Sequence, residues 1–313
     1  MTAPLPSVRI GATTLHVPSL GLGTAPLANL YTHISETQAL ETIRYALSNG
    51  INLFDTAPLY GAGLAERRLG AVLRDIPRDS YVLSTKVGRL VTSQGSVVFD
   101  WTRDGVLRCL EDSLDRLGVE YVDILHIHDP DQHQREALDV VFPALAELRS
   151  QGVIRAVGAG VNQWQMLVDF AHHADFDCFL LAGRYTLLEQ GALDLLELCH
   201  ARGISILLGG VYNSGILATG AQPGAKYNYA DAPPVLLEQV RRIETICARY
   251  DAPLKAAALQ FPLAHPAVTS LVVGAQSMGE LAETIDALHT TLPQGLWDDL
   301  RSAGLVHESA PLP

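Results

Sequence analysis

Four side chains in the first half of the chain have the types that acid–base chemistry needs: the carboxylate of Asp55, the phenol of Tyr60, the amine of Lys86 and the imidazole of His128. Three of them close short apolar runs, Leu53-Phe54-Asp55, Val82-Leu83-Ser84-Thr85-Lys86 and Ile124-Leu125-His126-Ile127-His128, and Tyr60 follows the first run within Ala57-Pro58-Leu59-Tyr60-Gly61. Taken singly, each has an ordinary explanation. An aspartate at such a place caps a turn through an Asx bond, a lone lysine at a strand end is usually a solvated rim residue, and a loop tyrosine usually packs. Taken together they do more. An ammonium beside a phenol favours the phenolate and lowers a tyrosine pKa from about 10, while a carboxylate holds the lysine charged and oriented. The spacing predicts a tunable proton donor and acceptor assembled from Tyr60, Lys86, Asp55 and His128.

His126 and His128 face the same side of a strand, which admits a metal reading of the pair. The histidines after it fall elsewhere: His172 and His173 in a helical stretch, His200 near a helix end, and His265 ahead of the last apolar run. No metal is expected on that ligand count. His126, one pleat below His128, is expected to be a hydrogen-bonded core histidine.

The elements that must bring these groups together recur along the chain as a short apolar run, a polar or Gly break, and a longer segment of helical spacing. Eight such units follow Ser19, with strands predicted at Leu20–Gly23, Leu53–Asp55, Val82–Lys86, Ile124–His128, Ala156–Gly158, Cys178–Leu181, Ser205–Leu208 and Ser270–Val273. Helical spacing covers Glu36–Asn49, Thr102–Leu117, Arg135–Gln151 and Leu193–Arg202, and Gly50, Gly118, Gly152 and Gly203 stand where left-handed caps end such helices. Strict β-then-α alternation gives a parallel sheet, and eight strands favour closure. The fold class predicted is α/β, a (β/α)8 TIM barrel in one domain over residues 1–313. The segment Val8–Val17, with Gly11-Ala12 at its turn, is predicted to be a hairpin capping the barrel floor. The stretch Gly209–Pro234, rich in Gly, Pro, Asn and Tyr, is predicted to be a lid.

Composition narrows the function classes. A net charge of −12 without clustered Lys and Arg disfavours a nucleic-acid surface. No run approaches the roughly 20 apolar residues of a membrane span, and Met1–Val8 lacks the positive end and apolar block of a secretory signal. A cytoplasmic protein is expected. The four cysteines, Cys109, Cys178, Cys199 and Cys247, are scattered without a C-x-x-C pair and read as buried thiols. A small-molecule substrate fits these bounds, with a monomer or small homo-oligomer.

In a parallel barrel the ligand sits beyond the carboxyl ends of the strands, and the phosphate site often lies after the last two. Gly209-Gly210-Val211-Tyr212-Asn213-Ser214-Gly215 and Gly274-Ala275-Gln276-Ser277 stand there and offer exposed backbone N–H groups and a helix start. Gly21-Leu22-Gly23-Thr24 is a weaker signal, since no helix opens directly after it.

With these residues in view, the chain resembles the aldo-keto reductases over nearly its whole length. Gly50-Ile51-Asn52-Leu53-Phe54-Asp55-Thr56-Ala57-Pro58-Leu59-Tyr60-Gly61 is similar to the family's first signature, Ser84-Thr85-Lys86-Val87-Gly88 to its lysine segment, and Ile127-His128-Asp129-Pro130-Asp131 to its histidine segment. The resemblance implies Tyr60 as general acid or base, Lys86 depressing its pKa, Asp55 supporting Lys86, and His128 orienting the carbonyl. It implies cofactor contacts from Gly23, Thr24, Asp55, Asn162, Gly209, Gly210, Tyr212, Asn213, Ser214, Gly215, Gly274, Ala275, Gln276 and Glu280, and substrate contacts from Tyr60, His128, Asp129, Arg184 and Tyr229. The chain departs from the family's pattern at three cofactor positions. Gly160 stands before Val161-Asn162 where relatives have Ser-Asn, Ala182 replaces a glutamine, and Gly209 replaces the tyrosine that stacks on nicotinamide, leaving Tyr212 as a substitute.

Leu181–Leu188, Gly210–Leu217 and Lys226–Tyr229 are similar to the aldose 1-dehydrogenase branch, which includes D-threo-aldose, L-fucose, L-galactose and pyridoxal 4-dehydrogenases. That likeness implies NAD(P)-dependent oxidation of the C1 hydroxyl of an aldose to a lactone, with L-fucose, L-galactose or D-arabinose as substrate. NAD is the preferred cofactor, with NADP as the alternative, because the positions that hold the NADP 2′-phosphate in relatives fall on Gly274, Ala275 and Glu280. A pyridoxal 4-dehydrogenase or general carbonyl reductase is the rival on the same fold. A metal-dependent hydrolase and a non-catalytic redox sensor are the rivals of other classes.

Overall fold

The short apolar runs are buried on both faces, as strands wrapped by helices must be. The computed structural model describes residues 4–30, 32–92, 94–228 and 230–313. Eight parallel strands close into a barrel: β3 (Leu20–Gly23), β4 (Leu53–Asp55), β5 (Val82–Val87), β8 (Ile124–His128), β9 (Ala156–Val161), β10 (Cys178–Ala182), β11 (Ser205–Gly209) and β14 (Val268–Gly274). Ahead of them β1 (Ser7–Arg9) and β2 (His16–Pro18) form the expected hairpin, with Val8 opposite Val17. Ile10, Leu15 and Val17 of this hairpin pack with the inward residues Leu53, Val82, Ile124, Ala156, Cys178, Leu180, Leu207 and Val272. The hairpin plugs the floor, so the open end of the barrel is the one where Asp55, Lys86 and His128 end their strands.

Among the described residues the helices are α1 (Glu36–Ser48), α2 (Leu64–Leu73), α3 (Arg103–Leu117), α4 (Gln134–Glu136), α5 (Phe142–Ser150), α6 (Trp164–His173), α7 (Leu193–Arg202), α8 (Ile216–Thr219), α9 (Pro234–Arg249), α10 (Leu254–Leu263), α11 (Met278–His289) and α12 (Gln294–Ser302). The one helix expected over Arg135–Gln151 is divided by a π turn at Ala137–Val141. Pro143, in the first turn of α5, brings no N–H to the ladder, so the chain widens just before it. Gly118 and Gly203 end α3 and α7 in the left-handed conformation, as predicted. All four cysteines are buried free thiols.

Strands β5, β9, β10, β11 and β14 run one to three residues further than their predicted bounds. The stretch Gly209–Pro234 is not irregular throughout. It carries α8 and a small hairpin of β12 (Lys226–Tyr227) and β13 (Ala230–Asp231). A third hairpin, β6 (Arg89–Val91) with β7 (Val97–Phe99), rises from the loop after β5 and has no counterpart in the predicted elements. No helix among the described residues is long and apolar enough to cross a membrane.

Candidate active site

Strand β5 carries Lys86 inward and Thr85 outward, and the outward face is anchored hard. Thr85 Oγ1 donates to Glu66 Oε1 at 2.8 Å, and Arg116 Nε donates to Glu66 Oε2 at 2.6 Å, so a buried carboxylate ties α2, α3 and β5 together. Removing one partner of such a buried pair would strand the other's charge. On the inward face Lys86 Nζ donates to Asp55 Oδ1 at 2.6 Å and to the Thr56 carbonyl at 2.8 Å. Ser84 donates to the other Asp55 oxygen at 2.8 Å, and Thr24 donates to the Asp55 carbonyl through both its backbone N–H and its hydroxyl. Ser84 was not among the residues singled out from sequence. Its spacing of two from Lys86 was the signal, since residues i and i+2 of a strand share a face.

Tyr60 completes the cluster. Its ring centroid lies 4.8 Å from Lys86 Nζ and 6.1 Å from the His128 ring, which it meets edge to face. Asp55, Tyr60, Lys86 and His128 therefore converge on one mouth. Burial pushes the Tyr60 hydroxyl above its usual range; Lys86 pulls the other way, and Asp55 adds to the rise. The lowering expected from sequence is thus reversed in net sign, because burial outweighs the ammonium. Burial disfavours the Lys86 charge, but Asp55 and Tyr60 more than offset this and its pKa is raised. His128 is held neutral, first by burial and then by the charges of Lys86 and Arg89. Such a set offers a phenol, a fixed ammonium beneath it and a neutral imidazole beside it.

His126 departs from expectation. It is fully buried, its register partner is Lys86, and neither ring nitrogen has a hydrogen-bond partner among the described residues. Its ring fills the space over Gly158, where a Cβ would come within 2.2 Å of Nδ1. Among the described residues no group of three or more His, Cys, Asp or Glu is arranged to hold a metal.

Most of the positions expected to meet a cofactor end or follow strands β11 and β14. A Cβ built on Gly209 would meet nothing nearer than Ala182 Cβ at 3.8 Å, so the end of β11 is an open shelf on which a planar ring can lie. That opening fits a nicotinamide; Gly209 pairs with Val272 of β14, and Gly274 and Gly23 pair with each other two residues further towards the mouth. Asn162 is exposed two residues beyond the inward Gly160. Gly210, Asn213, Ser214 and Gly215 all have positive φ, giving the loop after β11 a tight left-handed course. Asn213 spends its side chain inside the protein, on Thr186 and the Gly183 carbonyl. Tyr212 directs its hydroxyl to Thr284 of α11 at 3.4 Å, which commits it to the outer helical layer. Ala275 is buried and Gln276 half-buried. Glu280 accepts the Gln276 N–H at 2.8 Å, closing the start of α11.

Of the expected substrate contacts, Asp129 lies beside His128, with Oδ2 3.7 Å from His128 Nε2. Arg184 bonds Asn228 across to the β12–β13 hairpin at 3.2 Å. Tyr229 lies outside the described residues. Arg89, which sequence reasoning missed, donates to Asp129 at 2.9 Å.

Residues 19–304 match the model of the Aldo/keto reductase family. The chain belongs to that family. It is similar to pyridoxal 4-dehydrogenase of Microbacterium luteolum, at 39% identity over 95% of this chain and 97% of that protein. It is similar to D-threo-aldose 1-dehydrogenase of a Pseudomonas species, at 38% identity over 94% of this chain and 96% of that protein. The holo form of aldo-keto reductase AKR11C1 from Bacillus halodurans superposes with a TM-score of 0.81 at 26% identity, covering 98% of this chain and 99% of that one. The aldo/keto reductase is therefore an oxidoreductase working with a nicotinamide cofactor.

Proposed function

We propose that this aldo/keto reductase oxidises the C1 hydroxyl of a free aldose, of the L-fucose, L-galactose or D-arabinose class, to the lactone, with NAD preferred over NADP. The observation that carries the reading is the pairing of Lys86 with Asp55 at 2.6 Å directly beneath Tyr60. A nicotinamide cofactor would be held at the Gly209 end of β11 and would supply the hydride acceptor. Tyr60 takes the C1 hydroxyl proton, and its phenolate oxygen is the acceptor. Lys86 stabilises that phenolate, and Asp55 keeps Lys86 charged and aimed. His128, neutral at working pH, donates a hydrogen bond to the C1 oxygen and holds it against Tyr60. The oxygen then forms its double bond to C1 as the hydride departs.

The 38% identical aldose dehydrogenase supports the substrate class, and the 39% identical pyridoxal dehydrogenase supports pyridoxal as a second reading. The two separate in one assay. Absorbance of reduced nicotinamide is followed with L-fucose, L-galactose, D-arabinose and pyridoxal under both cofactors. Saturable NAD reduction with an aldose and none with pyridoxal is expected. The converse pattern assigns the site to pyridoxal, and no reduction with any of them removes the aldose reading.

A further inference from the structure

The Asp129 carboxylate stands beside the proton-transfer centre and is fixed there by more structure than a surface ion pair has. Its backbone is held at φ +42°, a conformation that costs a residue bearing a Cβ and persists where the surroundings enforce it. Arg89 donates to its Oδ2 at 2.9 Å. Arg89 opens β6 and faces Phe99 across the hairpin, its guanidinium carbon 5.2 Å from that ring. Phe99 stacks on Trp101 and on His133, and Trp101 closes over Gly88, where a Cβ would fall 2.0 Å from its ring. The β6–β7 hairpin thus holds Arg89, and Arg89 holds Asp129.

The same Asp129 oxygen lies 3.7 Å from His128 Nε2. An oxygen on the reacting carbon, hydrogen-bonded to that nitrogen, has a hydroxyl on the neighbouring carbon about one hydrogen-bond length away when the two are gauche. That hydroxyl falls within reach of the carboxylate. We propose that Asp129, positioned by Arg89, accepts a hydrogen bond from the hydroxyl on the carbon next to the reacting one, and so selects α-hydroxy aldehydes and aldoses over aldehydes without it. The natural substrate named by this selection rests on the aldose reading above, but the selection itself is a property of the site. A hydrogen bond to a charged acceptor, left unmade by the wrong substrate, discriminates by about tenfold to a hundredfold.

The test is run with reduced nicotinamide on 2-hydroxypropanal and propanal, and in the other direction on L-fucose and 2-deoxy-L-fucose. The readout is the ratio of kcat/KM for the hydroxylated over the plain substrate, in wild type, Asp129→Ala and Asp129→Asn. A wild-type ratio of about ten to a hundred, falling to near one in Asp129→Ala, is expected. Asp129→Asn keeps the shape and a neutral acceptor, so it carries the test if the alanine variant does not fold, with a several-fold fall in the ratio. A wild-type ratio near one overturns the proposal. So does a ratio that survives in both variants, or a proportional loss on both substrates, which a purely structural ion pair would give. Selection of 2-hydroxypropanal with no turnover of any aldose would remove the aldose reading and leave this inference standing.

Discussion

Tyr60 lies between opposed influences, and under the proposed proton transfer their balance sets the expected response to pH. Burial raises its pKa and Lys86 lowers it, with burial dominant, so at neutral pH the residue is a phenol. As a proton donor for carbonyl reduction it is ready. As an acceptor for oxidation it improves as pH rises towards its own pKa, so log kcat for oxidation should climb from pH 7 into the alkaline range while reduction stays level. A level oxidation profile would remove Tyr60 as the acceptor. Tyr60→Phe should cost about 10² to 10⁴ in turnover while cofactor binding persists, read by kinetics and fluorescence titration. Lys86→Met alone would leave Asp55 as an unpaired buried charge, so the informative variant is Asp55→Asn with Lys86→Met. Its alkaline rise should move to still higher pH, since the lowering influence of Lys86 that is lost is larger than the raising influence of Asp55 lost with it. The sign of the Lys86 effect on Tyr60 was legible in the sequence; the raising effect of Asp55 was not read there. The magnitude of burial was not legible either, because it is a property of the closed barrel and not of any segment.

At the scale of elements, we propose that the start of α11 reads the cofactor's ribose end. Ser277 caps the helix by accepting the Glu280 N–H at 3.2 Å, and the Glu280 carboxylate reaches back to the Gln276 N–H. The pattern Ser277-x-x-Glu280 is visible in the sequence as a helix-start signal. Only the structure shows that the side-chain oxygen of Gln276 accepts from Thr32 and its carbonyl from Gln38, which fixes this residue at the helix start. A 2′-phosphate would approach a carboxylate and find the Gln276 N–H already given to it, whereas a 2′-hydroxyl can donate to that carboxylate. Wild type should favour NAD by about tenfold to a hundredfold in kcat/KM. Glu280→Gln, which keeps a hydrogen-bonding oxygen for the cap, should raise relative NADP use, and Glu280→Arg should raise it further. An unchanged NAD/NADP ratio in both would show that this helix start does not read the 2′ position. The β6–β7 hairpin illustrates what passes unseen: Arg89-Leu90-Val91 and Val97-Val98-Phe99 flank Gly95 as a hairpin should, but such runs are short enough to be taken as part of one loop.

Across the whole molecule, the β-then-α alternation made the barrel legible, and strands β3, β4 and β8 fall on their predicted bounds. Strand β9 was cut short at Gly158 because Gly158 and Gly160 weaken any strand signal. The reason for Gly158 lies on the neighbouring strand β8, where it makes room for its register partner His126. That interior bears on stability. Burial, with Lys86 adding to it, lowers His126 to about 3, and burial likewise lowers His128 well below its usual value. In the unfolded chain both titrate near 6.5. Below that pH the unfolded state binds protons that the folded state refuses, so stability is fully present above about pH 6.5 and falls as pH drops towards the folded values. Each such histidine costs about 1.4 kcal/mol per pH unit in that window. His126 also leaves two buried nitrogens unpartnered, a standing cost that an apolar side chain of similar size does not carry. His126→Leu should therefore raise Tm at pH 7, and it should narrow the fall in Tm between pH 7 and pH 5. Thermal unfolding of both proteins at the two pH values checks this. A variant with a lower Tm at pH 7 and an undiminished acid fall would mean that the imidazole is satisfied in the folded barrel and that acid sensitivity arises from other groups.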